Sequence, residues 1–438
     1  MASLLFYWFF NKIGDMEVFQ LYLNFLNVFL ETSWIWSPFI LAILFFQSWM
    51  YYSQRLYWCK LDWILLEVKP PKEIESSPLN MEQIFAGLWG SFGTVGNKYE
   101  KYIKGMIQDY FSFEIVGLNG EIHFYLRALK KYRNLVEAQV YSQYPQAEIK
   151  EVEDYAYKLP GDVPGRNWNL WGSRLVLSNK EAFPIRTYPY LIDEVKTDQP
   201  FFDPLAGLME VLGKLQLGEQ IWMQILFRPE ADVKRNELVK EAYKILGKKV
   251  ASPAEGVIIA DIKGWIDAIF ETISTFISGE APVEKVKDKT ADMPSLAQFL
   301  SPGEKDMIKM IEEKASKKVY ESKIQFAYIA RKELFTMAYV SAMFGIFSQF
   351  ANLNMNALKP DKATMTKASY LFAKVRKAYK QRVLLRMLRT RSFWEKGYVF
   401  NIEELATLFH FPTIAVKGPM TPYIGSKKGG APMDLPSL

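Results

Sequence analysis

The stretch from Ser33 to Tyr52, SWIWSPFILAILFFQSWMYY, holds no charged residue. About 20 mostly apolar residues in a helix suffice to cross the hydrocarbon core of a bilayer. Trp34, Trp36, Trp49, Tyr51 and Tyr52 stand at its two ends, where amphipathic rings favour the membrane interface. Arg55 and Lys60 follow at once. Buried helices of ordinary cores rarely run this far without a charge. The expectation is a transmembrane helix over about 33–52, inside an anchor formed by residues 1–58. Residues 16–30, MEVFQLYLNFLNVFL, carry Glu17, Asn24 and Asn27. They either lie in the interface or form a short helical hairpin with the main span. No basic region precedes Leu4–Phe10 and no small-residue cleavage signature follows, which argues against a cleaved signal peptide.

Orientation follows from the flanking cations. Only Lys12 precedes the run, whereas Arg55, Lys60, Lys69 and Lys72 follow it. The positive-inside bias then puts the large C-terminal body in the cytoplasm, as a single-pass protein of the inner (cytoplasmic) membrane. Cys59 is the sole cysteine, so no intrachain disulfide can form, which suits a reducing compartment. With that one cysteine and two histidines, His123 and His410, a zinc site of the usual ligands is not expected. As a lone histidine without a motif, His123 reads as structural. Gly87, Gly90, Gly93 and Gly96 recur in GLWGSFGTVGNK, but a phosphate-cradling loop needs a Gly-Lys-Ser/Thr ending that Asn97, Lys98 and Tyr99 do not supply. No catalytic residue, metal ligand or cofactor is assigned.

The body reads as α+β. Residues 61–71 form a strand closed by two prolines. Residues 110–129 form a hairpin around Asn119-Gly120, the pair suited to a type I′ turn. A helix follows to Pro145, then a strand at 147–157, a strand pair at 174–179 and 183–189, a helix after Asp203-Pro204, and a buried strand at 219–229. The recurring strand, strand, helix, strand order predicts tandem ferredoxin-like α/β sandwich units and a helical C-terminal segment. The expected boundaries are a first unit or units at 59–278, a flexible charged linker at 279–300, a second unit at 301–400 and a tail at 401–438. Ser301 and Glu304 form a capping box that opens a helix to about Lys318, before a strand at 320–331 and an apolar helix at 332–354. Residues 261–278 place Trp265, Ile269, Phe270 and Ile273 on one apolar stripe. That stripe either packs in a core or docks on a partner or membrane surface.

The basic character is concentrated. The chain of 438 residues is net +6, yet Lys374, Arg376, Lys377, Lys380, Arg382, Arg386, Arg389 and Arg391 occur within 374–391 without an acid, leaving the remainder net negative. The run is either a solvated face, a contact to anionic lipid, a seat for nucleic-acid phosphates, or a dock for an acidic partner.

Asn401 and Glu404 form a capping box at the start of NIEELATLFHFPT (401–413). That segment resembles the region that closes the N-terminal, non-ATPase part of motor proteins of the HerA/FtsK type, from conjugation and type IV secretion-like systems. EIHFYLRALKKYRNLVEAQVYSQYPQAEIKEVEDY (121–155) is similar to that part as well. The departure is that no Walker A motif or arginine-finger context is assignable, and the chain ends where the family's ATPase would begin. The resemblance implies a membrane-anchored, non-catalytic coupling component of a translocation machine. Its implied partners are membrane lipid, a separately encoded motor ATPase, DNA and further copies of the chain. The alternative is a membrane-bound scaffold unrelated to translocation.

Overall fold

A computed structural model describes residues 27, 31–71, 77–93, 97–161, 163–193, 203–245, 302–352, 355–393 and 395–412. The helices are α1 (Ser33–Cys59), α2 (Ser77–Leu88), α3 (Lys98–Tyr102), α4 (Arg133–Gln143), α5 (Tyr188–Asp193) and α6 (Ala206–Gly213). They continue with α7 (Asp232–Ile245), α8 (Pro302–Ser316), α9 (Met337–Ser348), α10 (Ala373–Thr390) and α11 (Ile402–Leu408). The strands are β1 (Trp63–Lys69), β2 (Phe111–Leu118), β3 (Glu121–Leu129), β4 (Glu148–Glu151) and β5 (Trp168–Leu177). They continue with β6 (Glu219–Pro229), β7 (Val319–Arg331), β8 (Leu358–Pro360) and β9 (Tyr398–Asn401). The chain divides into one unit of residues 1–62 and 93–108 and a second of 63–92 and 109–438.

In the first unit the charge-free run is helical, as expected. The 27 residues of α1 are about 40 Å long at 1.5 Å per residue. The expected transmembrane helix is nevertheless not supported: among the described residues, no helix is long and apolar enough to cross a membrane. Ser33, Ser37, Gln47, Ser48, Ser53 and Gln54 dilute the run, and the stretch free of polar side chains shrinks to Pro38–Phe46. Nine helical residues cover only about 14 Å, against a hydrocarbon core of about 30 Å. Phe39, Ile40, Leu41, Ile43, Leu44, Phe45 and Phe46 are all exposed. They are nearly consecutive, so they point to every side of the helix. Further along, the Trp49 indole donates to the Tyr102 carbonyl at 2.8 Å, and Phe46 stacks obliquely on Tyr102. Gly105, at φ +66°, comes so close to α1 that a Cβ there would lie 2.3 Å from the Ser53 carbonyl carbon.

The second unit is built on one antiparallel sheet in the order β4-β1-β3-β2-β6-β7-β5-β8, with β9 beside β7. The expected hairpin is β2–β3, and its turn has Asn119 and Gly120 at φ 55° and 91°, as a type I′ turn requires. Among the described residues the strands form one sheet and not the expected tandem sandwiches. β6 and β7, assigned to different units by the sequence reading, pair directly from Glu219↔Ala330 to Pro229↔Tyr320. A local pattern of strands and helices cannot report a pairing that skips this many residues. Residues 183–189 also differ: they form no strand, and Tyr188 and Pro189 begin α5. Pro184 and Pro189 lack the N–H that a ladder needs.

Alternation along the strands sorts side chains onto two faces. One face, with Ile64, Leu66, Phe111, Phe113, Ile115, Phe124, Ile225, Phe227, Ile324 and Phe326, packs against α2, α4, α6, α9 and α11. The other carries Leu65, Val116, Tyr125, Trp222, Ala327 and Ile329, covered by α10 and by Tyr155, Leu159 and Val163. The capping box of α11 forms as read: the Glu404 amide donates to Asn401 at 2.8 Å and the Asn401 amide to Glu404 at 2.9 Å. Residues 404–411 are buried throughout, so this segment is core and not a free tail. Lys314 and Glu404 meet there at 3.1 Å, both fully buried. Burial lowers the Lys314 pKa and raises that of Glu404. His410 bridges the Ala406 carbonyl and Asp203, each at 2.9 Å.

Candidate functional site: the basic helix and the polar face beneath it

α10 owes its place to Gln381, Leu384, Leu385 and Leu388, all buried, at the i, i+3, i+4, i+7 spacing of one helical face. The leucines pack on Leu170, Trp222, Ala327 and Ile329. Gly172 allows the approach, since a Cβ there would meet Phe326 O at 2.4 Å and Leu384 Cδ2 at 2.6 Å. The Gln381 amide donates to the Leu170 carbonyl at 2.6 Å and to Asn169 at 3.0 Å, which fixes the helix along β5.

The helix ends at Arg391, a fully buried residue with left-handed backbone at φ 46°. Its guanidinium donates through Nε and Nη2 to the two oxygens of Glu114, each at 3.0 Å, and through Nη2 to Asp154 at 2.9 Å. The Ser112 and Tyr155 hydroxyls each donate to Glu114 at 2.6 Å. The Gln224 amide donates to the Tyr155 oxygen at 2.7 Å, and Gln325 to Gln224 at 2.5 Å. Register explains the assembly, because Glu114, Gln224 and Gln325 are direct cross-strand partners on β2, β6 and β7. Burial opposes the charge on Arg391, but Glu114, Tyr155 and Asp154 outweigh it, so its pKa stands well above the usual value. Burial likewise pushes the Tyr155 phenol well up.

One residue pair along, Arg127, Ser112, Leu226 and Lys323 form the next cross-strand row over β3, β2, β6 and β7. Arg127 stacks on Trp63 at 4.0 Å, and Arg228 and Lys323 lie 4.8 and 4.7 Å from the centre of the Phe393 ring. Arg228 pairs with Glu321 at 2.5 Å. Lys323 Nζ is buried without a hydrogen-bond partner among the described residues. Burial, then the neighbouring Arg174 and Arg228, lower its pKa to about 7.

The eight predicted cations therefore part company. Arg391 is a buried structural ion. Arg389 is half-buried and donates to the Ala156 carbonyl at 3.0 Å; Lys380, half-buried too, donates to the carbonyls of Lys362 and Met365. Lys374, Arg376, Lys377, Arg382 and Arg386 are exposed. Beside them lies a cleft of about 420 Å³ lined by Arg376, Lys380, Tyr379, Val383, Leu384 and Met387, with Glu395 also at its wall. Glu395 is already paired with Arg174. Trp265, Ile269, Phe270 and Ile273 lie outside the described residues. His123 donates through Nδ1 to the Glu67 carboxylate at 2.6 Å, and this bond is the main reason the Glu67 pKa is lowered.

Sequence reasoning missed Glu114, Lys323 and Arg127. The available signal was a polar residue at strict alternate positions of otherwise apolar strands, as in FSFEIV and SKIQFA. Among the described residues, no group of three His, Cys, Asp or Glu side chains is placed to hold a metal. Residues 59–421 match the family described as Domain of unknown function (DUF8128), and the chain belongs to it. None of the curated proteins compared with it matches.

Proposed function

We propose that this chain is a membrane-attached, non-catalytic structural component of a translocation apparatus of the conjugation or type IV secretion kind. In that reading it works with a separately encoded motor ATPase and with further copies of itself. The observation that carries the membrane part is α1, whose apolar side chains from Phe39 to Phe46 are exposed on every side. Burying that surface in lipid is favourable by roughly 25 cal/mol per Å² of apolar area removed from water. Arg55, Lys60 and Lys69 after the apolar run of α1 favour a body on the cytoplasmic side of the cytoplasmic membrane. The translocation part rests on the resemblance of 121–155 and 401–413. In this reading the sheet and its helices contribute the assembly surfaces.

Two measurements test this. Full-length chain is expected to float with vesicles of phosphatidylcholine alone, and Phe39→Ser, Leu41→Ser, Phe45→Ser together are expected to leave it at the bottom of the gradient. Purification from its own host in mild detergent is expected to bring down an ATPase with a P-loop. Recovery without such a motor would favour the unrelated scaffold. Flotation that ignores the triple substitution would remove α1 as the anchor.

A further inference from the structure

Between Asp361 and Glu395 the chain carries ten cations and no acid in 33 residues. At the start of α10 the same stretch also exposes five large apolar groups. Tyr370 is 89%, Leu371 80%, Phe372 78%, Val375 69% and Tyr379 68% exposed. Tyr370 and Phe372 both have left-handed backbone, at φ 68° and 56°, which is uncommon for bulky residues. This geometry turns three consecutive side chains outward immediately before the helix. Phe372 caps the helix without a side-chain hydrogen bond, and no acid occupies the first turn. Lys374, Arg376 and Lys377 therefore sit at the positive end of the helix dipole, an arrangement that an external anion relieves.

We propose that this surface docks on an anionic phospholipid bilayer, with the Tyr370-Leu371-Phe372 knuckle entering the headgroup layer and the Arg376–Lys380 cleft taking a lipid phosphate. The cleft suits an amphiphile. Val383, Leu384 and Met387 give it an apolar lining, and two cations reach it. Lys380 uses two of its three N–H donors on backbone carbonyls, and Arg376 gives one of five to the Ser369 carbonyl at 3.2 Å. Donors remain on both. A nucleic acid would engage the cations, and a single strand would stack on the aromatic rings, but neither takes Leu371 and Val375 out of water. A membrane interface takes all five apolar groups together with the charges.

The inference deepens the membrane reading above but concerns a different element, so a local probe separates the two. In full-length chain, Cys59→Ser and Leu371→Cys give a single thiol at the knuckle for an environment-sensitive nitrobenzoxadiazole dye. The labelled chain is mixed with vesicles of phosphatidylcholine alone, with vesicles containing 30% phosphatidylglycerol, and with duplex or single-stranded DNA. The expected result is a blue-shifted, brighter dye on the phosphatidylglycerol vesicles only. Arg376→Ala with Lys377→Ala should weaken that response about 25-fold, at about fivefold per cation near an anionic leaflet. Vesicles that capture the chain while the dye stays unchanged would sink the inference and leave anchoring by α1 intact. A dye response to DNA and not to lipid overturns it in favour of nucleic acid. An equal response on neutral vesicles overturns the assignment of the cations, and no capture by either vesicle overturns both readings.

Discussion

Lys323 is the group whose replacement by an apolar residue should strengthen the fold. Its ammonium is buried, lacks a hydrogen-bond partner among the described residues and shares its surroundings with Arg174 and Arg228. Its pKa falls from the ordinary 10.5 to about 7, first through burial and then through Arg174. One pKa unit corresponds to about 1.4 kcal/mol, so carrying the proton into the fold costs about 3–5 kcal/mol. Below about pH 7 the folded and unfolded chains both hold that proton, and the cost stands in full. From there to 10.5 the unfolded chain binds it and the folded chain does not, so this group makes stability rise with pH. Lys323→Met keeps the stem against Phe393 and deletes the charge. At pH 6 it should be more stable than the parent by about 3–5 kcal/mol, an advantage that fades as the pH approaches 10. Guanidinium unfolding followed by tryptophan fluorescence at pH 6, 7.5 and 9 measures this. A Met variant that is less stable at pH 6 would refute the reasoning, and so would a difference that does not change with pH. Either result would mean that Nζ holds a partner.

Arg391→Ala leaves Glu114 and Asp154 without their cation and should cost about 3–5 kcal/mol in thermal unfolding, whereas Arg382→Ala and Arg386→Ala should stay within about 0.5 kcal/mol. Glu404→Ala removes the partner of buried Lys314 and a cap of α11, and a loss of about 3–5 kcal/mol is expected in the same assay. Gly172→Ala drives a methyl into Leu384 and the Phe326 carbonyl. It should destabilise by about 1–3 kcal/mol and expose α10 to limited proteolysis, with Leu384→Ala relieving part of the effect.

What was legible in the sequence is what short-range chemistry decides. Asn119-Gly120 specified its turn, Asn401 and Glu404 their cap, and the runs at 219–229 and 320–331 their strands. Beyond the β2–β3 hairpin, pairing partners were not legible, because β6 meets β7 across sequence that carries no register signal of its own. For the same reason one sheet was read as two. The basic run shows the limit at a site. Composition marks eight cations alike, and only the fold separates Arg391, held between two carboxylates, from Arg382, facing solvent. Likewise the sequence places 401–412 within a tail at 401–438, because an amphipathic helix gives no sign of how many layers cover it. For α1, the charge-free run at 33–52 was visible, but the polar groups spaced through it keep the helix from being apolar enough to span.

The pairing of β6 with β7 has an engineering consequence. These strands are neighbours at the middle of the sheet, yet 89 residues separate Pro229 from Val319. The departing helix α7 and the returning helix α8 share a small apolar cluster through Leu238, Ile311 and Ala315, so the excursion is clasped at its root. The root of this clasp is a natural graft point, where a reporter or foreign module could be spliced without disturbing the scaffold that carries it.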